Sequence, residues 1–182
     1  MTMFEPVKNF FRKRKIRKLS RAVPTGLRPL SDISTINVLI DVEEAGYDAL
    51  KDEILAWGRT QGKKLNIYYF DFRKLGKNEL LLTSIQTTVA RNDLNWFGMP
   101  EYSKVAPLIE EPSDLLISLV DNGDFPVDFV SKCAAARFKI GRRAYSGHCF
   151  DMICSGKQAE GLRSGGLEVF HAITEFLNKI SK

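Results

Sequence analysis

Histidine is almost missing from this chain of 182 residues, with two copies, and cysteine is scarce, with three. The thiols Cys133, Cys149 and Cys154 show no CxxC spacing, and their odd number and apolar surroundings point to buried thiols in a reducing cytoplasm. His148 and Cys149 are adjacent on a predicted strand and so face opposite sides, as do Cys149 and Cys154 five positions apart, which argues against a Cys-His pair or a metal site. His171 lies among apolar neighbours on a predicted helix, the setting of an interfacial histidine. No Ser, His and Asp spacing demands a triad, no internal repeat is visible, and no window approaches 18 consecutive apolar residues, so no transmembrane helix is expected. A secretory signal is not read either: the charges follow MTMFEPVKNFF instead of preceding it, and no apolar run comes behind them.

What the chain does have is a basic beginning. FFRKRKIRKLSR, residues 10 to 21, holds seven Lys or Arg. Residues 1 to 21 contain eight basic residues and one acidic one, a local charge of +7; the whole chain carries +5, so the remaining 161 residues carry −2. Pro6 suits the first turn of a helix and Pro24 the chain beyond its end, so a helix is expected over 6 to about 20. Val7, Phe10 and Phe11 share one side, and Arg14, Lys18 and Arg21 continue the same stripe: a short apolar foot with a cationic sleeve. Residues 1–22 are read as a basic amphipathic helix, 23–32 as a Pro- and Gly-bearing linker, and 33–182 as one α/β domain.

Beyond the linker, short β-branched runs alternate with helical spacing. INVLID (36–41), LNIYYFDF (65–72), the continuously apolar DLLISLV (114–120), RFKIG (137–141) and HCFDMIC (148–154) read as strands, and LLLTSIQTTVA (80–90) holds a possible extended segment. Tyr47, Leu50, Ile54 and Trp57 mark a helix closed by Gly62, and Asp124 with Pro126 opens another that runs to about Ala136. A short helix ends before Pro112, and a last one spans about Gly166 to Ile180, with an apolar stripe from Leu167 to Ile180. This order predicts a Rossmann-like three-layer α/β sandwich with a mostly parallel sheet of about five strands, preceded by the basic helix.

In such a sheet, ligands collect at the carboxyl ends of the strands, which here carry Asp41, Glu43 and Glu44, then Asp121, Asn122 and Asp124, then Ser155, Gly156 and Lys157. Acids after the first and third strands with a lysine after the last resemble the receiver domains of two-component signalling. That resemblance implies a magnesium ion on Asp41 and Glu43, a phosphoryl acceptor at Asp121 and a sensing lysine at Lys157. The chain departs from the pattern in lacking a proline after that lysine and a Ser or Thr after the fourth strand, and in a long loop before the third; turn-capping is the plainer reading of both aspartates. SGKQAEGLRSGG (155–166) sits where phosphate loops sit, with Lys157 and Arg163 near the last helix, but it fits neither GxGxxG nor the Walker pattern, and a plain surface loop is its other reading. KIGRRAYSGH adds Lys139, Arg142 and Arg143 beside Tyr145, a second small basic patch that could follow a phosphate backbone or be a solvated turn. NWFGMPEY groups Trp96, Phe97, Pro100 and Tyr102, which form an interface if exposed and cap the core if buried.

NWFGMP and DFPVDFVSKCAAARFKIGRR, with the basic first helix and the length, resemble a family of short conserved proteins of unknown function from Bacteroidota-type bacteria. The resemblance implies a cytoplasmic bacterial protein and assigns no catalytic residue. The leading expectation is a binding or interaction module whose Lys8, Arg12, Lys13, Arg14, Lys15, Arg17, Lys18 and Arg21 meet a polyanion, either nucleic acid or an anionic membrane surface, or a protein partner or second copy. It would be cytoplasmic or peripheral at the inner membrane face, and no cofactor is implied. The alternative is an enzyme or phosphoacceptor-like domain that binds a phosphorylated ligand or magnesium through Asp41, Asp121, Asn122, Lys157 and Arg163.

Overall fold

In the computed structural model, which describes residues 4–74, 83–155 and 164–180, six strands form one sheet. They are β1 (Thr35–Asp41), β2 (Lys64–Asp71), β3 (Thr88–Ala90), β4 (Ser113–Ser118), β5 (Ala136–Gly141) and β6 (Met152–Ile153). Every neighbouring pair is parallel, in the order β3-β2-β1-β4-β5-β6. That is the doubly wound Rossmann order, with its topological switch between β1 and β4. The described helices are α1 (Glu5–Leu19), α2 (Tyr47–Thr60), α3 (Tyr102–Glu110), α4 (Phe125–Cys133) and α5 (Gly166–Lys179).

A parallel sheet must be covered on both faces, so its central strands are apolar on both. Ile36, Val38 and Ile40 of β1 with Leu115 and Ile117 of β4 face Leu50 and Ile54 of α2 and Val169, Phe170, Ile173 and Leu177 of α5. Leu39, Phe70 and Leu116 point the other way, onto Val105, Leu108 and Ile109 of α3 and Val127, Phe129 and Val130 of α4. The buried polar exception in β1 is Asn37, whose side-chain oxygen accepts from Asn66 Nδ2 at 2.9 Å, directly across the β1–β2 ladder.

The sheet is all-parallel and holds one strand more than expected, because Thr88–Ala90 pairs with the end of β2. Of the run 148–154, Met152–Ile153 alone is strand. The backbone of Gly147 (φ 88°) and His148 (φ 50°) is left-handed, which turns the chain instead of extending it. α4 stops at Cys133, three residues before the expected end, since Ala134 is already extended at its C-terminus.

The first helix is where the sequence pattern and the structure part. α4 is buried on almost every side, because α1 lies across its outer face. The face of α1 that does this is Lys8, Arg12, Ile16 and Leu19, spaced one turn apart; Ile16 and Leu19 join the core, and the guanidinium of Arg12 sits 4.0 Å over the Phe125 ring. Arg12 Nε also donates to the Phe97 carbonyl at 2.7 Å, and the Lys8 ammonium lies 4.9 Å from the Trp96 ring. The expected apolar foot points the other way: Val7, Phe10 and Phe11 are exposed, and the stripe they begin, continued by Arg14 and Lys18, faces solvent. Long basic side chains lay their methylenes along apolar surface, which lets Lys8 and Arg12 take core-facing positions that a hydrophobicity pattern assigns to phenylalanine.

Ile16→Ala therefore lowers stability by about 1–2 kcal/mol, the cost of a half-buried aliphatic side chain. Arg14→Ala, on the outward face, stays within about 0.5 kcal/mol. Urea midpoints at unchanged slope measure both, and equal effects would mean that the helix is not docked by this face.

Candidate functional site

The crevice at the carboxyl ends of β1 and β4 is occupied by the protein's own side chains. Arg142, one residue beyond β5, is buried; its Nη1 donates to both oxygens of Glu44 at 2.8 and 2.7 Å and to the Leu119 carbonyl at 3.1 Å. Its Nη2 donates to the Ser164 carbonyl at 2.7 Å and lies 3.7 Å from the Asp121 carboxylate. Glu44 Oε1 in turn accepts the Gly166 amide at 2.9 Å, so a carboxylate of the protein holds the anion position at the N-terminus of α5. Gly166 permits the approach, because a Cβ there would meet Leu50 at 2.9 Å and the Glu44 carboxylate at 3.4 Å. Arg143 reaches the Asp121 carbonyl at 2.9 Å, and the Tyr145 hydroxyl donates to the Asn122 carbonyl at 3.0 Å.

Asp41 and Asn122, both expected at strand ends, meet: Asn122 Nδ2 donates to Asp41 Oδ2 at 2.8 Å and the Glu43 amide to Oδ1 at 2.8 Å. Burial raises the Asp41 carboxyl above its ordinary range, against those two bonds. Glu43 turns to the Phe72 amide at 3.0 Å. Among the described residues no three His, Cys, Asp or Glu side chains gather closely enough to hold a metal ion. The first strand-to-helix turn, 41–47, carries three carboxylates where dinucleotide-binding versions of this topology present glycine amides, an arrangement that repels pyrophosphate. Lys157 and Arg163, with most of the glycine-rich stretch, lie outside the described residues.

The basic residues of the first helix divide by side. Lys8 and Arg12 face the body; Arg14, Lys15, Lys18 and Arg21 are exposed; Lys13 and Arg17 border a groove along the helix flank. Arg21 is held at its base, donating to the Glu110 carbonyl at 3.4 Å. Beside the outward face stands Trp96, 58% exposed, edge-on to Phe4 at 6.2 Å and to Phe97 at 5.0 Å. The aromatic loop thus serves both ends expected of it. Phe97 packs against the core and Met99 is buried in it, while the Asn95 side chain, accepting the Phe97 and Met99 amides at 2.9 and 3.1 Å, and left-handed Gly98 turn Trp96 outward. His148 and Cys149 lie outside β6 and border the same groove, so the strand argument that separated them fails. Burial pushes the Cys149 thiol up to about 11, which leaves it protonated and a poor nucleophile at neutral pH.

The Arg142–Glu44 pair was invisible in the sequence, since 98 residues separate its partners. Arg142→Met leaves Glu44 half-buried without its counter-charge and lowers stability by about 3–5 kcal/mol, whereas Arg142→Met with Glu44→Met recovers most of the loss. A double-mutant cycle by denaturant unfolding decides this; simple additivity would deny the coupling.

Asp71, at the end of β2, titrates in the opposite direction from Asp41. Arg73 donates to its two oxygens at 2.8 and 2.6 Å and holds the carboxyl below its ordinary value near 3.8. A depressed carboxyl stabilises the fold above the unfolded value, and that contribution disappears as pH falls through the folded value. Asp71→Asn should therefore flatten the acid limb of the stability–pH curve below about pH 4. An unchanged limb would dissociate Asp71 from acid unfolding.

No curated protein and no solved structure matches the chain. A family model does, over residues 8–161, a span that holds all eight basic residues of the first 21, every strand of the sheet and the Arg142–Glu44 pair. The chain belongs to that family, a family of unknown function (DUF6913).

Proposed function

We propose that this protein is a binding module that docks peripherally on an anionic membrane surface through the outward face of α1 and Trp96. The observation that carries this reading is the composition of that face. Val7 and Phe10 are 46% and 62% exposed at one end of a helix whose other end presents Arg14 and Lys18, with Phe4 and Trp96, each 58% exposed, and Lys15 along its edge. None of these three cations has an ion-pair partner among the described residues. Exposed aromatics beside uncompensated cations match the two layers of a membrane interface: the rings enter the acyl boundary while the cations meet the headgroups. A phosphate backbone would engage the cations and leave the apolar side chains in water, so nucleic acid uses only half of the face. The opposite face of α1 is pinned to the body, so the helix is presented already ordered and binding does not have to fold it. The inner face of a cytoplasmic membrane supplies such a surface.

The test is sedimentation of the full chain with phosphatidylglycerol-containing and pure phosphatidylcholine vesicles across a salt series, beside labelled RNA and duplex DNA. The expected result is binding to the anionic vesicles alone, weakened by salt. Phe10→Ser should weaken it about tenfold or more, and Arg14→Gln with Lys18→Gln about 30-fold, at roughly 1 kcal/mol per charge. Tighter binding to nucleic acid that ignores Phe10→Ser would overturn the membrane reading in favour of a phosphate-backbone dock.

A further inference from the structure

The connection from β5 to β6, residues 142–151, contains no helix, so the α4-side face of β5 is bordered by the C-terminal end of α4, the flank of α1 and the loop itself. Between them lies a groove of about 960 Å³. Lys13 and Arg17 of α1, Lys132 of α4 and Lys139 of β5 line it. We propose that this groove is a binding site for a phosphate monoester with an organic body of nucleotide size, with Lys139 as its innermost cation.

Lys139 is the unusual member. It stands in the middle of a sheet strand, opposite Leu116 in the parallel ladder, on a face that otherwise belongs to the core. Among the described residues its ammonium donates to one protein acceptor, the Ser131 carbonyl at 2.9 Å. Burial pulls its pKa down, the mark of a cation short of solvent and counter-charge. The neighbours that might neutralise it do not. Cys133 and Cys149 are both pushed up to about 11 and stay as thiols. Asp128 is bound to Lys132 at 2.7 Å, and Asp151 is exposed, with one oxygen on the Lys139 backbone amide at 2.8 Å. Lys13 and Arg17 have no carboxylate within ion-pair distance among the described residues.

A half-buried charge is costly unless paired, and a dianion in the groove would pair Lys139, Lys13 and Arg17 at once. The volume is at the upper end for small-ligand sites, much more than inorganic phosphate fills, and Ile16, Ala134 and Ala136 give the remaining wall apolar character for an organic body. At the mouth stands His148, the one non-glycine residue with left-handed backbone among those described, a conformation retained where surrounding structure enforces it.

The proposal does not rest on the membrane reading. Its test is thermal unfolding of the full chain with AMP, glycerol 1-phosphate, adenosine and inorganic phosphate, and with vesicles containing phosphatidic acid. The expected result is that AMP raises the melting temperature by about 3 °C or more at tenfold excess over Kd. Adenosine should leave it unchanged, and Lys139→Met and Arg17→Gln should each abolish the response while Phe10→Ser keeps it. Arg17 is exposed, so its variant keeps the test open if Lys139→Met unfolds. A shift by the soluble monoesters identifies a free metabolite; a shift by phosphatidic acid alone identifies a lipid headgroup in the groove when Phe10→Ser keeps it and Arg17→Gln removes it, and overturns the groove when Phe10→Ser removes it. Equal shifts with adenosine and AMP, an unaltered AMP response in both variants, or no shift with any phosphate-bearing probe would overturn it.

Discussion

A single guanidinium, that of Arg142, joins the parts of this fold that the sheet cannot join by itself. A doubly wound sheet leaves its crevice at the switch point open, and most proteins of this topology fill the opening with a ligand. Here Arg142 fills it, tied to Glu44 after β1, to the Leu119 carbonyl beyond β4 and to the Ser164 carbonyl before α5. Glu44 passes the tie on to the Gly166 amide, which fixes where α5 begins. A buried ion pair of this kind is weak evidence for net stability, because desolvation offsets much of the attraction. Its effect is positional: with both oxygens of Glu44 committed, the ligand position of the topology has become an internal joint.

α1 lies outside this joint. The three-layer sandwich is complete without it, since α2 and α5 cover one face of the sheet and α3 and α4 the other. α1 adds a partial fourth layer over α4, which is why α4 can be apolar nearly all round. It seats itself with cations on rings and on carbonyl oxygens and with Phe11 against the Phe97 ring at 5.2 Å, and leaves Phe10 on the far side.

The sandwich was legible because strand and helix periods are written in apolar residues. The run from Ile36 to Ile40 and the stripe from Leu167 to Leu177 needed no partner to be read. β3 and β6 were indistinct for a physical reason: edge segments of three and two residues owe their conformation to one neighbour and carry little pattern of their own. Asp41 and Asn122 were readable as a pair because the switch-point rule places strand ends together. Arg142 was not, since its role depends on a backbone path across four segments. The stripe of Val7, Phe10 and Phe11 was legible as a stripe, but nothing in its spacing assigned it a side. Periodicity says which residues share a face and is silent on which face meets the body.

That silence matters most for charge. A helix carrying most of a local +7 against a body of −2 invites the idea that electrostatics holds it down. The contacts say otherwise. Among the described residues the ion pairs of α1 run from Lys8 and Arg12 to Glu5 of the same helix, at 4.0 and 3.6 Å. Its bonds to the body go to neutral acceptors, the Phe97 carbonyl and the Phe125 and Trp96 rings, with the Lys132 and Glu110 carbonyls receiving Ser20 and Arg21 just beyond it. Docking by neutral acceptors and by Ile16 and Leu19 leaves the net charge of the helix uncompensated, so its field extends outward undiminished by the body. Salt screens such a field without loosening the apolar seat, because among the described residues no ion pair joins α1 to the body. The helix is for that reason both a fixed part of the fold and a carrier of net positive charge, two properties that a salt-bridged arm could not combine.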